Sequence, residues 1–215
     1  MAKLCTIFLL IFSIYVNGDP VSKRVVGSFS TENLDAWETI EFESETAYRL
    51  VKNESTMVLL STSEASASGL INKQKVDIQK YPFLNWRWRA NKKLSLMNEQ
   101  TKEGDDYVAR IYVLVSDGWF FWNTKALNYV WSSQPIKGAS WPNAYAPDNF
   151  KMIALRTSND EAGFWYTEKR NVYEDLKRWL GKYIEQVDAI AIMTDSDDSA
   201  SSASAMYGDI YFSSE

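Results

Sequence analysis

Three groups of side chains in this sequence have the types and spacing to do chemistry. The first is Asp195-Ser196-Asp197-Asp198, directly after an apolar run. Carboxylates clustered on a tight loop suit a hard cation such as calcium. The EF-hand pattern is not met, since neither its glycine nor its distant glutamate is in place. Asp195, Asp197 and Asp198 therefore read either as ligands of a structural calcium ion or as a solvated acidic turn. The second group scatters carboxylates and arginines at strand ends: Asp105, Asp106, Arg110, Arg170, Asp175, Asp195 and Asp197. A glycoside hydrolase needs two carboxylates, one protonated and one ionised. A polysaccharide lyase needs a base and a charge neutraliser, which Tyr, Lys and Arg supply. Asp106, Arg110 and Asp195 are the catalytic candidates on that reading. The alternative is a bracing network, because buried charges persist only when paired or hydrogen-bonded. The third group is aromatic. Trp119, Trp122 and Trp141 fall in loops, placed to stack on the C–H faces of sugar rings beside Asp105, Asp106, Arg110 and Arg170. Trp86, Trp88 and Trp131 fall in strands and read as core.

Two gaps in composition narrow the chemistry further. The chain has no histidine, and its one cysteine is Cys5. Ser-His-Asp and Cys-His catalysis are thereby excluded, as are histidine-based zinc and iron sites. What remains is carboxylate, Lys, Tyr, Arg and hydroxyl chemistry, or an oxygen-ligated metal. The formal net charge of −5 argues against a general nucleic-acid binder, which would carry a basic face.

The N-terminus reads Met1-Ala2-Lys3, an apolar run from Leu4 to Val16, then Asn17-Gly18-Asp19-Pro20. This is the layout of a secretory signal over residues 1–18, with Val16 and Gly18 at the third and first positions before a cut. An uncleaved anchor is the other reading. Cys5 would leave with the signal, and no later stretch is long enough to span a bilayer. Export without disulfides suits a bacterial envelope, periplasmic or secreted, more than a small eukaryotic scaffold.

The elements that must position these residues are short strands. Alternation predicts strands over Trp37–Phe42, Ala47–Lys52, Thr56–Ser61, Leu70–Ile78 and Phe83–Arg89. In Phe83–Arg89, Trp86 and Trp88 project one way and Arg87 and Arg89 the other. Gly104–Ser116 reads as one long central strand with Asp106 and Arg110 on the same face. Further strands are expected over Ala126–Ser132, Lys151–Arg156, Gly163–Glu168, Val187–Met193 and Ala205–Phe212, with a long loop at 133–150. Asn171–Lys182 is the one helix, capped by Asn171 and striped by Val172, Leu176, Trp179 and Leu180. Many short strands, one helix near 171–182 and no βαβ rhythm predict one all-β domain over 19–215. Its form is an antiparallel β-sandwich of jelly-roll or galactose-binding-like type.

Motif order adds a resemblance. Ser66-Ala67-Ser68-Gly69-Leu70, Leu84-Asn85-Trp86-Arg87-Trp88 and Gly104-Asp105-Asp106-Tyr107 through Val113 follow one another. Tyr129-Val130-Trp131, Arg170-Asn171-Val172, Asp175 and Ala189 through Asp197 complete the series. Together they resemble the bacterial domain-of-unknown-function 3047 family over residues 28–213. The resemblance implies a single exported domain and supplies no substrate. Where that family tends to read Asp-x-Asp-Asn-Thr, this chain has Asp195-Ser196-Asp197-Asp198-Ser199. The extra acid either strengthens cation binding or marks a variable loop. The expectation is a non-catalytic binder of a glycan or another envelope component. A carboxylate-dependent hydrolase or lyase is the second reading, and a structural envelope protein the third.

Overall fold

A computed structural model describes residues 21–116 and 124–215; the signal expected over 1–18 lies outside them. The first half of the chain gives β1 (Lys23–Gly27), β2 (Glu38–Glu43), β3 (Ala47–Asn53), β4 (Thr56–Glu64) and β5 (Ala67–Asn72). There follow β6 (Val76–Asp77), β7 (Phe83–Lys92), β8 (Arg110–Ser116) and β9 (Thr124–Trp131). The remainder supplies β10 (Ser140–Pro142), β11 (Phe150–Arg156), β12 (Tyr166–Asn171), helix α1 (Val172–Leu180), β13 (Gln186–Val187), β14 (Ala189–Asp195), β15 (Ser202–Tyr207) and β16 (Ile210–Ser213).

These strands form two seven-stranded sheets and a small β6–β13 ribbon. The first sheet runs β1-β16-β7-β15-β4-β3, with β12 on the other edge of β7. The second runs β10-β11-β9-β8-β14-β5-β2. Pairing is antiparallel except between β9 and β11, which run parallel. The architecture is the expected β-sandwich.

Alternation along β7 builds the centre of the core. Trp86 and Trp88 point inward, where Trp86 stacks on Tyr129 at 5.5 Å and Trp88 meets Trp131 at 6.1 Å. The Trp88 indole N–H donates to Glu168 at 3.1 Å and that of Trp131 to the Thr157 carbonyl at 3.2 Å, so these two rings are buried without stranding a donor, whereas the buried Trp86 indole N–H has no partner among the described residues. Gly69 has a local reason. A Cβ there would lie 2.9 Å from the Ile192 carbonyl oxygen across the β5–β14 pair.

Helix α1 matches its expected start. Asn171 Oδ1 accepts from the Glu174 N–H at 3.0 Å, and Gly181 closes the helix at φ +66°. Several expected strands are cut shorter or divided: Val187–Met193 splits at Asp188 into β13 and β14, and Gly163–Glu168 starts only at Tyr166. The one ending at Ile78 stops at Asn72, whose side-chain oxygen accepts from Gln74 N–H and turns the chain. Ala205–Phe212 breaks at Gly208-Asp209 into β15 and β16. The strand expected over Gly104–Ser116 begins only at Arg110.

Candidate functional site

That last difference shapes the site. Lys102–Gly104 is a 3-10 turn, and residues 105–109 cross the end of the second sheet irregularly. Gly104 is packed so closely that a Cβ would fall 2.4 Å from the Asn98 carbonyl oxygen. The segment still satisfies its backbone: Asp195 N–H donates to the Tyr107 carbonyl and Trp131 N–H to that of Ala109. Asp106 and Arg110 are therefore not neighbours along one strand face. They meet through β14 and the loop after it.

Arg110 is 4% exposed and pairs with Asp195, which is 1% exposed. Asp105 lies 3.9 Å from Arg110 Nη1. The Arg110 guanidinium also rests over the rings of Tyr107 and Tyr112, at 5.0 and 5.4 Å. Tyr107 N–H donates to Asp195 Oδ1, and Asn143 donates to Asp105 Oδ2 at 2.7 Å. Asp106 is fully buried, and its partners are the backbone N–H groups of Asp198 and Ser199, at 3.2 and 2.7 Å. Neither Arg87 nor Arg170 pairs with it. Arg170 forks onto Asp175 of α1 at 2.7–3.0 Å and covers the Tyr129 ring. Asp209 holds the amide and hydroxyl of Ser30.

Burial pushes the Asp105 and Asp195 carboxyls up from their ordinary values, and the Arg110 guanidinium pulls both the other way. Burial raises Asp197 and Asp198 as well, with neighbouring carboxylates adding to the push. Glu99, held by the Ser132 hydroxyl and Ser133 amide, is raised by the same desolvation. Five Asp side chains thus gather around one guanidinium.

Oxygen atoms of Asp106, Asp195 and Asp197 lie within 4.8 Å of one another, a spacing that oxygen ligands of one hard cation can share. This corrects the expected set in one member. Asp198 is not in the triad; its Oδ1 accepts the hydroxyl of Tyr145. Trp141 also departs from expectation. It sits in β10, is 7% exposed and donates to Tyr107 Oη at 3.3 Å, so it packs the network and offers no platform. Trp119 and Trp122 lie outside the described residues. Asp105, Asp106, Arg110 and Asp195 come together, enclosed by protein.

An open site lies elsewhere, on the outer face of the first sheet. A cavity of about 270 Å³ is lined by Ser30, Asn85, Arg87, Thr167, Asp209 and Tyr211, with Met57 at its wall. Its origin is the break between β15 and β16. Opposite that break, Asn85 pairs with Tyr211 and Arg87 with Thr167, and β7 turns all these side chains away from the core. The sequence reading placed Arg87 on this outward face and gave it no ligand-binding role. The signal that would have drawn attention to it was Gly208-Asp209 inside an otherwise continuous strand pattern.

The family described as "Protein of unknown function (DUF3047)" matches residues 35–211. No curated protein matches the chain. Among solved structures, the cellulose-induced protein Cip1 superimposes with a TM-score of 0.51 at 10% identity, over 88% of this chain and 97% of that one. The family 11 carbohydrate-binding module of a cellulosomal cellulase of Clostridium thermocellum gives 0.48 at 9% identity, over 90% and 95% of the two chains. A cellulase derived from that of Rhodothermus marinus gives 0.48 at 11% identity, over 90% and 96%. At these identities the likeness is one of fold.

Proposed function

This chain belongs to the DUF3047 family, and we propose that it is an exported protein that binds a glycan, without catalysis, in the cavity on the outer face of its first sheet. The observation that carries this reading is the separation of the open cavity from the catalytic candidates. The cavity offers hydroxyls, an amide, a guanidinium and an aromatic ring, the mixture that fixes a small polar ligand. Glycoside hydrolysis needs two carboxylates flanking the bond. Among the described residues the cavity has one, Asp209, and Ser30 engages both of its oxygens. Asp106, Arg110 and Asp195 are closed off from substrate. Export rests on the apolar run from Leu4 to Val16.

The test is a panel of envelope and algal polysaccharides scored together by thermal shift and by release of reducing ends. A shift without product is the expected result, and Tyr211→Ala abolishes it. Silence in both readouts across the panel removes glycan binding, and product release moves the assignment to hydrolysis.

A structural calcium ion in the same protein is a second reading. The convergence of Asp106, Asp195 and Asp197 within 4.8 Å favours it.

A further inference from the structure

We infer that the cavity is specific for an acidic saccharide, with Arg87 holding a carboxylate of a uronic acid residue. This rests on the glycan-binding reading and narrows it. Arg87 and Arg89 leave the same face of β7, yet their surroundings differ. The Arg89 guanidinium donates to Asn91 at 2.9 Å and to the Met206 sulfur at 3.1 Å. That of Arg87 has no hydrogen-bond acceptor and no carboxylate within ion-pairing distance among the described residues. A guanidinium carries five N–H donors in a planar fork matched to a carboxylate.

Two features hold this fork in place at the cavity. The indole of Trp165 lies against it, 4.6 Å from ring centroid to guanidinium carbon, and is itself anchored by donation to Asn53 at 3.1 Å. Beneath the stem is Gly208, where a Cβ would stand 2.6 Å from both Cγ and Nε of Arg87. Only glycine leaves that path open. The strand break that creates the cavity thus also seats its cation.

Local charge favours an anion although the chain as a whole carries −5. Lys23 adds a second positive group over the Tyr211 ring, at 4.5 Å. Asp209 is the one acid in the lining, and the Ser30 amide and hydroxyl offset its charge. The planar guanidinium fork takes a carboxylate through two parallel N–H···O bonds, which a single uronate supplies. Hydroxyls of Ser30 and Thr167, with the ring of Tyr211, complete a surface suited to a pyranose.

Calorimetric titration of the whole protein with tri-galacturonic acid and with cellotriose tests this. Tri-galacturonic acid is expected to bind at least about tenfold tighter, the worth of one charge-assisted contact. Arg87→Met removes that preference by weakening tri-galacturonic acid binding far more than cellotriose binding, and Arg87→Lys restores part of it. Gly208→Ala, which keeps the arginine but displaces it, acts like Arg87→Met while circular dichroism stays unchanged. Equal affinity for the two sugars, or a preference that survives Arg87→Met, overturns the assignment and leaves glycan binding standing. Binding of neither sugar overturns the assignment, and the polysaccharide panel decides separately whether glycan binding stands.

Discussion

Replacing Arg110 by methionine removes the one guanidinium facing Asp195 and Asp105, both buried. Methionine fills much of the volume, so the change is mainly one of charge. At an effective dielectric of about 20, opposite charges 4 Å apart attract by about 4 kcal/mol. Removing one partner of a buried pair costs about 3–5 kcal/mol, because the other is left uncompensated. For a domain of this size each kcal/mol moves the melting temperature by about 2–4 °C. Arg110→Met is therefore expected to lower it by about 6–20 °C, with urea denaturation reporting the matching free energy. A companion variant isolates the cause. Asp195→Asn added to Arg110→Met deletes the stranded charge and recovers about 2 kcal/mol or more of the loss. An Arg110→Met protein within about 1 kcal/mol of the parent would refute the bracing role. So would a double variant no more stable than the single one. If bracing is correct, the double variant, once folded, retains the glycan-induced thermal shift of the parent.

Stability should fall as pH rises above 4 to the extent that Asp105 and Glu99 are held up by burial. A carboxyl whose folded pKa exceeds its unfolded one contributes stability that is complete below the unfolded value and is lost as pH rises through the folded one. Each such group gives a slope of up to about 1.4 kcal/mol per pH unit within that window. Urea midpoints from pH 4 to 8 measure it, and Glu99→Gln should flatten the curve; an unchanged slope would exclude Glu99. With calcium at about 100 times its dissociation constant, a site on Asp106, Asp195 and Asp197 adds about 2.7 kcal/mol, and Asp197→Asn abolishes the gain. A melting temperature indifferent to calcium and to chelator eliminates that ion. In the core, Trp88→Phe should cost about 1 kcal/mol more than Trp86→Phe. Of the two, Trp88 donates its indole N–H to a protein acceptor and Trp86 does not, as denaturation curves of the two variants will compare.

Local pattern made much of this fold legible. The alternation of Trp86 and Trp88 against Arg87 and Arg89 assigned two faces correctly, and Asn171 marked the helix start because its cap is a local bond. The run from Gly104 to Ser116 misled for an equally physical reason. Its β-branched and aromatic residues suit a strand, whereas residues 105–109 are fixed by partners far along the chain, in Asp195, Asn143 and the 198–199 backbone. Trp141 looked like a loop residue because the cover over it comes from Tyr107 and Met152, on other elements. The cavity was the hardest feature to foresee. Its walls come from β4, β7, β12, β16 and the turn at Ser30, and no two of those segments are adjacent in sequence.

The division of charged residues between the two sheets bears on function more than any single residue. Sequence inspection favours the acidic stretch around Asp105, Asp106 and Asp195, because titratable groups cluster at sites of chemistry. Here the same groups are enclosed, and each meets a partner of the protein's own: Arg110, Asn143 or a backbone N–H. Arg87 is the reverse case, a charge at the wall of an open cavity with an aromatic support and no acceptor among the described residues. A group that already has its partners stabilises the fold, while one held in position without them is available to a ligand. By that criterion the carboxylates account for why the end of the second sheet is closed. The face bearing Arg87, Trp165 and Tyr211 is where a ligand gains most from binding, since its recognition groups are fixed before it arrives.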